Sequence, residues 1–422
     1  MRKSHPHRVL YLIEWSGRGG AENNLAQLVT HLHRDRYEPV VRPAVDGWLR
    51  EHLVSHAVDV RVLETRRMAF GLPFLGRGVS LPIIADLARL IRRERIALVH
   101  AYMWAMGLHG VIAARLAGVP AVYAVRGSSQ ELAHPIRRRM LRVLALLGCH
   151  FTGVSRDIAV SLQHDCGVPA DQITHVPNGV DASLYVPAGS SAEIRASLGL
   201  DPSRFTIGTV ANLRPIKGHE YLLRAIPDVE SRSGPLQVVF AGGGVLREGL
   251  QHMVAELRVS SPVVFLGERG DVSRVLGAFD AFVLPSLSEG MSNALLQAMS
   301  SGLPCVATAV GGNVEVLRHR ETGLLVPPGD PHRLAESITS LAASAEFRRL
   351  LATAARREVE QHYTLARMVV RNENVYAQCL SEERGARQGR DATDCHAGTE
   401  VGGGRQTPAT TPIARSIGSR EA

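Results

Sequence analysis

Lysine is nearly missing from this chain. Of its 48 basic residues only Lys3 and Lys217 are lysine, and the rest are arginine. A lysine at position 217 therefore stands against a strong drift toward arginine. Aromatic residues are also scarce, at 5%. That scarcity excludes a protein that stacks single-stranded bases on aromatic platforms, although the net charge is +8. No zinc-finger spacing, basic zipper or RNA-binding aromatic signature accompanies the charge, so nucleic acid is not expected as a partner. The five cysteines (149, 166, 305, 379 and 395) form no CxxC pair, which argues against a disulfide framework and structural zinc and fits a reducing compartment. No apolar run approaches the ~20 residues of a membrane span, and the opening MRKSHPHRVLYLIEW turns polar too soon for a signal peptide. A cytoplasmic protein is expected. There is no DxD motif and no His/Cys/Asp cluster with ligand spacing, so chemistry without a metal or cofactor at the site is expected.

The remaining composition is that of a globular protein: 422 residues, 45% hydrophobic and 21% charged, with 40 Gly and 22 Pro. This length predicts two domains. Strand-like runs alternate with helical patterns throughout, as parallel βαβ architecture requires. VLYLIEW, YEPVVRPAV, VDVRVLE, IALVHAY, AVYAVRG and CHFTGVS mark strands of a first Rossmann-like domain over residues 1–185. RFTIGTVANL, LQVVFAGGG, PVVFLGE, DAFVLPS, PCVATAV and GLLVPPG mark a second over 186–380, including a terminal helix at about 364–380. A linker is expected near 183–203, and the composition of 381–422 predicts a disordered tail. The fold class is α/β, with two parallel sheets facing a central cleft. The basic excess is N-terminal, since residues 1–185 hold 23 Lys and Arg against 15 Asp and Glu.

Two segments point to anion chemistry. In ANLRPIKGHEYLLRAI a strand ends, a turn places Arg214 and Lys217 three residues apart, and a helix follows. An isolated basic pair at a strand end is ordinarily just solvated. The block LPSLSEGMSNALLQAMSSGLPCVATAVGGNVEV changes that reading. Here Ser292 or Asn293 can cap a helix whose free N–H groups attract phosphate. Glu289 precedes that helix, and Gln297 lies about one turn inside it. The first Gly-rich turn, SGRGGAEN, is not a dinucleotide fingerprint.

In their order, these motifs resemble the retaining GT-B glycosyltransferases of family 4. The matching pieces are SGRGGAE, PNGVD at 177–181, the Arg214 and Lys217-Gly218 segment, AGGG, LGERGDV, the EG…LLQAM…GLPCVAT block and GGNVE. The resemblance spans roughly residues 8–380. It implies a nucleotide sugar held by the second domain and an acceptor held mainly by the first. Arg214, Lys217 and Glu289 would serve the chemistry, with the two cations neutralising the leaving diphosphate and Glu289 contacting the donor sugar. Gly19 and Gly20 would approach the diphosphate, the backbone around Arg269 would meet the base, and Gly290, Met291, Ser292, Asn293 and Gln297 would complete the donor site. Two positions depart from the family pattern. Gln297 replaces a glutamate, and Arg126 stands where many members have histidine. A guanidinium cannot act as a general base. Arg126, His100 and His109 are the candidates for binding the acceptor, Arg126 through an acceptor phosphate.

The helix HPIRRRMLRVLALL, at 134–147, sets arginines beside apolar residues and predicts docking on an anionic membrane surface, with arginines snorkelling over a buried face as the rival reading. The expected activity is transfer of a sugar from a nucleoside-diphosphate sugar, UDP-linked, to a lipid-linked or surface glycan acceptor at the inner face of the cell membrane. A UDP-sugar epimerase of the same fold and a non-catalytic nucleotide-sugar-binding partner are the alternatives.

Overall fold

The computed structural model describes residues 5–63, 79–188 and 191–397. Its first sheet contains β1 (His7–Ile13), β2 (Tyr37–Pro43), β3 (Asp59–Val60), β4 (Leu98–Tyr102), β5 (Ala121–Val125), β6 (His150–Gly153) and β7 (Ile173–His175), in the order β3-β2-β1-β4-β5-β6-β7. The second contains β8 (Thr206–Val210), β9 (Gln237–Ala241), β10 (Val263–Gly267), β11 (Ala281–Leu284), β12 (Cys305–Thr308) and β13 (Leu324–Val326), in the order β10-β9-β8-β11-β12-β13. All strand pairings are parallel. The two Rossmann-like domains expected from the alternating pattern are therefore present. β7 was not anticipated: three half-buried residues carry too little periodicity to read.

The strands are apolar because helices cover both faces of each sheet. β5, β9, β11 and β12 are buried along their whole length. In both sheets the strand order reverses at one point, between β1 and β4 and between β8 and β11. Loops leaving the carboxyl ends of neighbouring strands diverge there, and ligands of such sheets collect in the resulting crevice. One apolar cluster joins the domains, running from Leu10 and Val99 through Met291 and Leu295 to Phe282. Between 183 and 203, where the linker was expected, a short helix forms at Ser191–Ser197.

The C-terminal helix departs from expectation. It runs Leu365–Ala397, past the expected end near residue 380 and into the segment read as a tail, of which 398–422 lies outside the described residues. It also does not complete the second domain. Leu365, Met368, Val369, Val375, Tyr376 and Cys379 pack with Val9, Tyr11, Ile13, Tyr37 and Val122 on the first sheet's side. The chain returns at a parallel bridge between Val180 and Thr364, where Leu365 N–H donates to Val180 O at 2.9 Å. Polar bonds fix the docking. Glu373, 1% exposed, accepts from His33 N–H at 2.9 Å and from Arg36 Nη1 at 3.4 Å, and it meets His33 Nδ1 at 2.9 Å. Tyr37 Oη donates to Glu373 O at 3.2 Å.

Glu373→Ala leaves a backbone N–H and two basic side chains without their shared carboxylate. Because His33 and Arg36 are themselves about half exposed, the cost is set mainly by the N–H and amounts to about 2 kcal/mol. A lowered urea midpoint with unchanged slope is expected; an unaltered midpoint would show that the apolar contacts alone hold the helix.

Candidate functional site

One wall of the cleft is built from strand exits of the second sheet. After β8 a 3₁₀ turn, Pro215–Lys217, leads into Gly218 at φ 61°, and the helix His219–Ser233 follows. The left-handed conformation and the space both demand glycine at 218, since a Cβ would fall 2.1 Å from Pro285 O. This close approach, with Leu287 N–H donating to Ile216 O at 2.8 Å, locks the turn against the loop after β11. Lys217 Nζ consequently meets Glu289 Oε1 at 2.6 Å, and Ser286 Oγ donates to the same oxygen at 2.7 Å. Glu289 is nearly buried, with its side chain 7% exposed, so this pairing compensates a charge that would otherwise be costly. Ser292 caps the helix Asn293–Ser300, its Oγ accepting from Leu295 N–H at 3.3 Å. Gln297, a turn inside, bonds the hydroxyl of Tyr185, whose pKa burial pushes up to about 12. Arg269 forks onto Asp271 at 2.8 and 2.7 Å and holds that carboxyl below its usual range, and residues 268–270 line the cleft.

The opposite wall comes from the first domain. The loop after β1 carries Arg18, Gly19 and Gly20 into the helix Gly20–His31, and Asn293 Nδ2 reaches across to Gly20 O at 3.0 Å. Gly290 sits against the first domain's backbone: a Cβ there would lie 2.3 Å from Gly127 O and 2.8 Å from Arg126 O. Asn178 bridges the seam, as its Oδ1 accepts from Asn24 Nδ2 at 3.0 Å and its Nδ2 donates to Met291 O at 3.0 Å. At the outer end Trp48 and His52 stack at 5.0 Å, with the Arg18 guanidinium 5.7 Å from the Trp48 ring centre. Burial, then the His56 and Arg18 charges, lower the pKa of His52.

Together these walls enclose a cleft of about 560 Å³. Of the residues singled out from sequence, Gly19, Gly20, Arg126, Lys217, Arg269, Gly290, Met291, Ser292, Asn293, Gln297 and Glu289 line it. Arg214 does not. It is exposed, and its charge acts on Glu22, a buried carboxyl whose pKa is raised by burial and drawn back by Arg214. His100 and His109 are not on the walls either. His100 is fully buried, meets Tyr376 Oη at 2.7 Å through Nδ1, and burial holds its pKa well below the usual value. His109 accepts from Ser80 N–H through Nε2 at 2.9 Å, so its Nδ1, 2.6 Å from Ala105 O, is the donor. Both histidines are neutral core groups and correct the acceptor expectation. Arg126 lines the cleft, but its Nη1 donates to Asn178 Oδ1 at 2.9 Å while Nε and Nη2 are sealed from solvent. Its guanidinium is thus engaged by Asn178 and the Tyr102 ring, 5.5 Å from its Cζ. Arg18, Asn24, Trp48, His52, Asn178 and Tyr185 line the cleft without having been assigned. PNGVD contains Asn178; Trp48 and His52 carry no motif at all.

Comparison with known proteins agrees with the two-domain fold. Residues 204–344 match the family described as glycosyl transferases group 1, and residues 18–184 match glycosyltransferase family 4. The chain is 31% identical over 281 residues to the UDP-Gal:alpha-D-GlcNAc-diphosphoundecaprenol alpha-1,3-galactosyltransferase of Escherichia coli, covering 62% of this chain and 71% of that protein. It is 30% identical over 336 residues to a D-inositol 3-phosphate glycosyltransferase of Rhodococcus erythropolis, covering 73% and 75%. The fold of Anabaena HepE, solved in complex with UDP-glucose, matches with a TM-score of 0.75 at 23% identity, covering 88% of this chain and 99% of that one.

Beside Lys217 lies a titratable group with a consequence for stability. His219 is 1% exposed and lies 5.5 Å from the Phe240 ring; burial first, then the Lys217 charge, push its pKa down to about 4. The unfolded chain binds a proton there near pH 6.5 while the folded protein does not. Stability from this neutral imidazole is therefore complete above about pH 6.5 and is lost as pH falls toward 4, by about 3 kcal/mol in all. His219→Phe should flatten the fall in urea midpoint between pH 7 and 4.5; an identical fall in both proteins would assign acid sensitivity elsewhere.

Proposed function

We propose a function that proceeds from one premise: the chain belongs to the glycosyltransferases of family 4, the glycosyl transferases group 1. The reading is a retaining transfer of a sugar from a nucleoside-diphosphate sugar, UDP-linked, to an acceptor hydroxyl on a lipid-linked or surface glycan. The observation that carries it is the Lys217–Glu289 pair at 2.6 Å, set beside the capped start of helix Asn293–Ser300.

In this reading the bond between the sugar's anomeric carbon and the diphosphate oxygen breaks, and charge develops on the departing oxygen. Lys217, a compact point cation, and the N–H groups at the head of Asn293–Ser300 would receive that charge. The relay through Ser286 and Glu289 holds the ammonium in place before the donor arrives. Retention is carried over from the resemblance of the motif order to the retaining family; among the described residues the first-domain lining of the cleft includes no Asp or Glu, and its imidazole is that of His52. The acceptor's proton would pass to the leaving diphosphate oxygen on the same face, as the new bond to the anomeric carbon forms. Transfer without a metal is part of the proposal. Among the described residues no group of three His, Cys, Asp or Glu is placed to hold an ion. The carboxylates on the walls are Glu289, already paired with Lys217, and Glu268.

The acceptor side is read as lying at a membrane's inner face. On helix Pro135–Leu146 the apolar Ile136, Val143 and Leu146 are 39%, 53% and 82% exposed, and Arg139 and Arg142 are exposed beside them. Arg137, Arg138 and Arg142 also donate to the carbonyls of Glu131, Leu132 and Cys166. An apolar ridge flanked by cations suits an anionic lipid surface. No helix among the described residues is long and apolar enough to cross a membrane.

Three outcomes test this reading. Lys217→Ala should lower turnover by roughly 10²–10³-fold, with release of nucleoside diphosphate falling in step. Turnover should persist in a chelator. Val143→Glu with Leu146→Glu should abolish co-sedimentation with anionic vesicles while sparing transfer to a water-soluble acceptor. Isomerised nucleotide sugar in place of a glycosylated product would overturn the transfer reading, and inversion at the anomeric carbon would overturn retention.

A further inference from the structure

We propose that Asn178 is a positioning residue that carries the first domain's geometry to the donor turn at Glu289–Met291, and that Arg126 sets its orientation. The inference rests on the transfer reading above and deepens it. Asn178 is 6% exposed and lines the cleft where the chain leaves the first domain. Three bonds meet on its amide. Oδ1 accepts from Arg126 Nη1 at 2.9 Å and from Asn24 Nδ2 at 3.0 Å, and Nδ2 donates to Met291 O at 3.0 Å.

The direction of the amide is dictated by its partners. A guanidinium only donates and a carbonyl only accepts, so Oδ1 must face Arg126 and Nδ2 must face Met291. Arg126 is itself placed between Asn178 and the Tyr102 ring. Its Nη1 is bonded to Asn178, its Cζ lies 5.5 Å from the Tyr102 ring centre, and Nε and Nη2 are enclosed. Asn24 is anchored on the helix that follows the glycine loop. Two first-domain side chains thus aim a single N–H at the backbone of the turn bearing Glu289. That turn has no slack on this side, because Gly290 already abuts the carbonyls of Arg126 and Gly127. A bond to Met291 O fixes where Glu289 and its Lys217 partner stand relative to the first-domain wall. An acceptor resting on that wall would then meet the donor at a set distance, the condition for a near-attack arrangement.

This assigns Arg126 a different role from substrate binding. A histidine at 126 would present a donor or an acceptor according to its tautomer, leaving the amide free to turn. Arginine removes that choice.

The test uses the full chain with a nucleotide-sugar panel, reading kcat, KM for the donor and melting temperature for each variant. Asn178→Asp keeps both bonds from Arg126 and Asn24 but sets a second acceptor against Met291 O. Expected is a fall in kcat of about tenfold or more, since misplacing reacting groups by a fraction of an ångström is costly. Arg126→Gln, able to accept from Nδ2 and so to turn the amide over, should lower kcat comparably. Arg126→Lys, which still only donates, should retain several-fold more activity than Arg126→Gln. Nucleoside diphosphate alone should still raise the melting temperature of all three variants, because Lys217 is untouched. Wild-type kcat and KM in Asn178→Asp and Arg126→Gln would overturn the inference. So would losses explained entirely by a smaller folded fraction. An inactive wild type would instead count against the transfer reading, leaving the two failures distinguishable.

Discussion

The close approach of Gly290 to the Arg126 and Gly127 carbonyls governs this molecule. Two domains that each fold around their own sheet could sit at many separations, and the close approach at this seam is one that only a residue without a Cβ allows. The bridging bonds of Asn178 and Asn293 reach their partners because of that separation, and the walls of the cleft stand opposed for the same reason. Specificity for small or large ligands is thus a matter of side chains added to a gap whose width the main chain sets.

Two charges that line the gap, Glu289 and Arg269, are already committed to ion pairs. Glu289 has Lys217, and Asp271 has Arg269. Such pairs hold ionised groups in a partly enclosed space before any ligand enters, which lowers the reorganisation needed when one does. Lysine suits position 217 physically. An arginine would present a broad fork and compete for two carboxylate oxygens, whereas an ammonium can serve Glu289 Oε1 and still turn its remaining N–H groups to a new anion.

Much of this was legible in the sequence. Apolar runs at regular spacing announced both sheets, and glycine-rich strand exits announced the second-domain wall, because those positions obey local rules of period and turn. What escaped was long-range. The C-terminal helix showed its helical spacing, but nothing in that spacing says which domain it covers; only the matching surface around Tyr11, Tyr37 and Val122 decides that. His100 and His109 looked like candidate site groups because burial is invisible at the level of residue type. Arg126 lines the cleft, yet its bond to Asn178 is made to a residue 52 positions later. Trp48 and His52 reach the cleft through the path of the chain after β2, which no local pattern encodes.

The crossing of the last helix onto the first domain bears on how the protein is made. During synthesis the first sheet emerges with one face lacking the cover that Met368, Val369, Val375 and Tyr376 later supply, and it stays so until the entire second domain has left the ribosome. The first domain is therefore the earliest to be synthesised and the last to be finished. Tyr11 and His100 wait for the hydroxyl of Tyr376, their polar groups open to water in the interval. Domains made in sequence ordinarily fold in sequence. Here the order of translation and the order of completion run in opposite directions, and a chain cut short anywhere before its final helix carries an unsealed domain from its beginning.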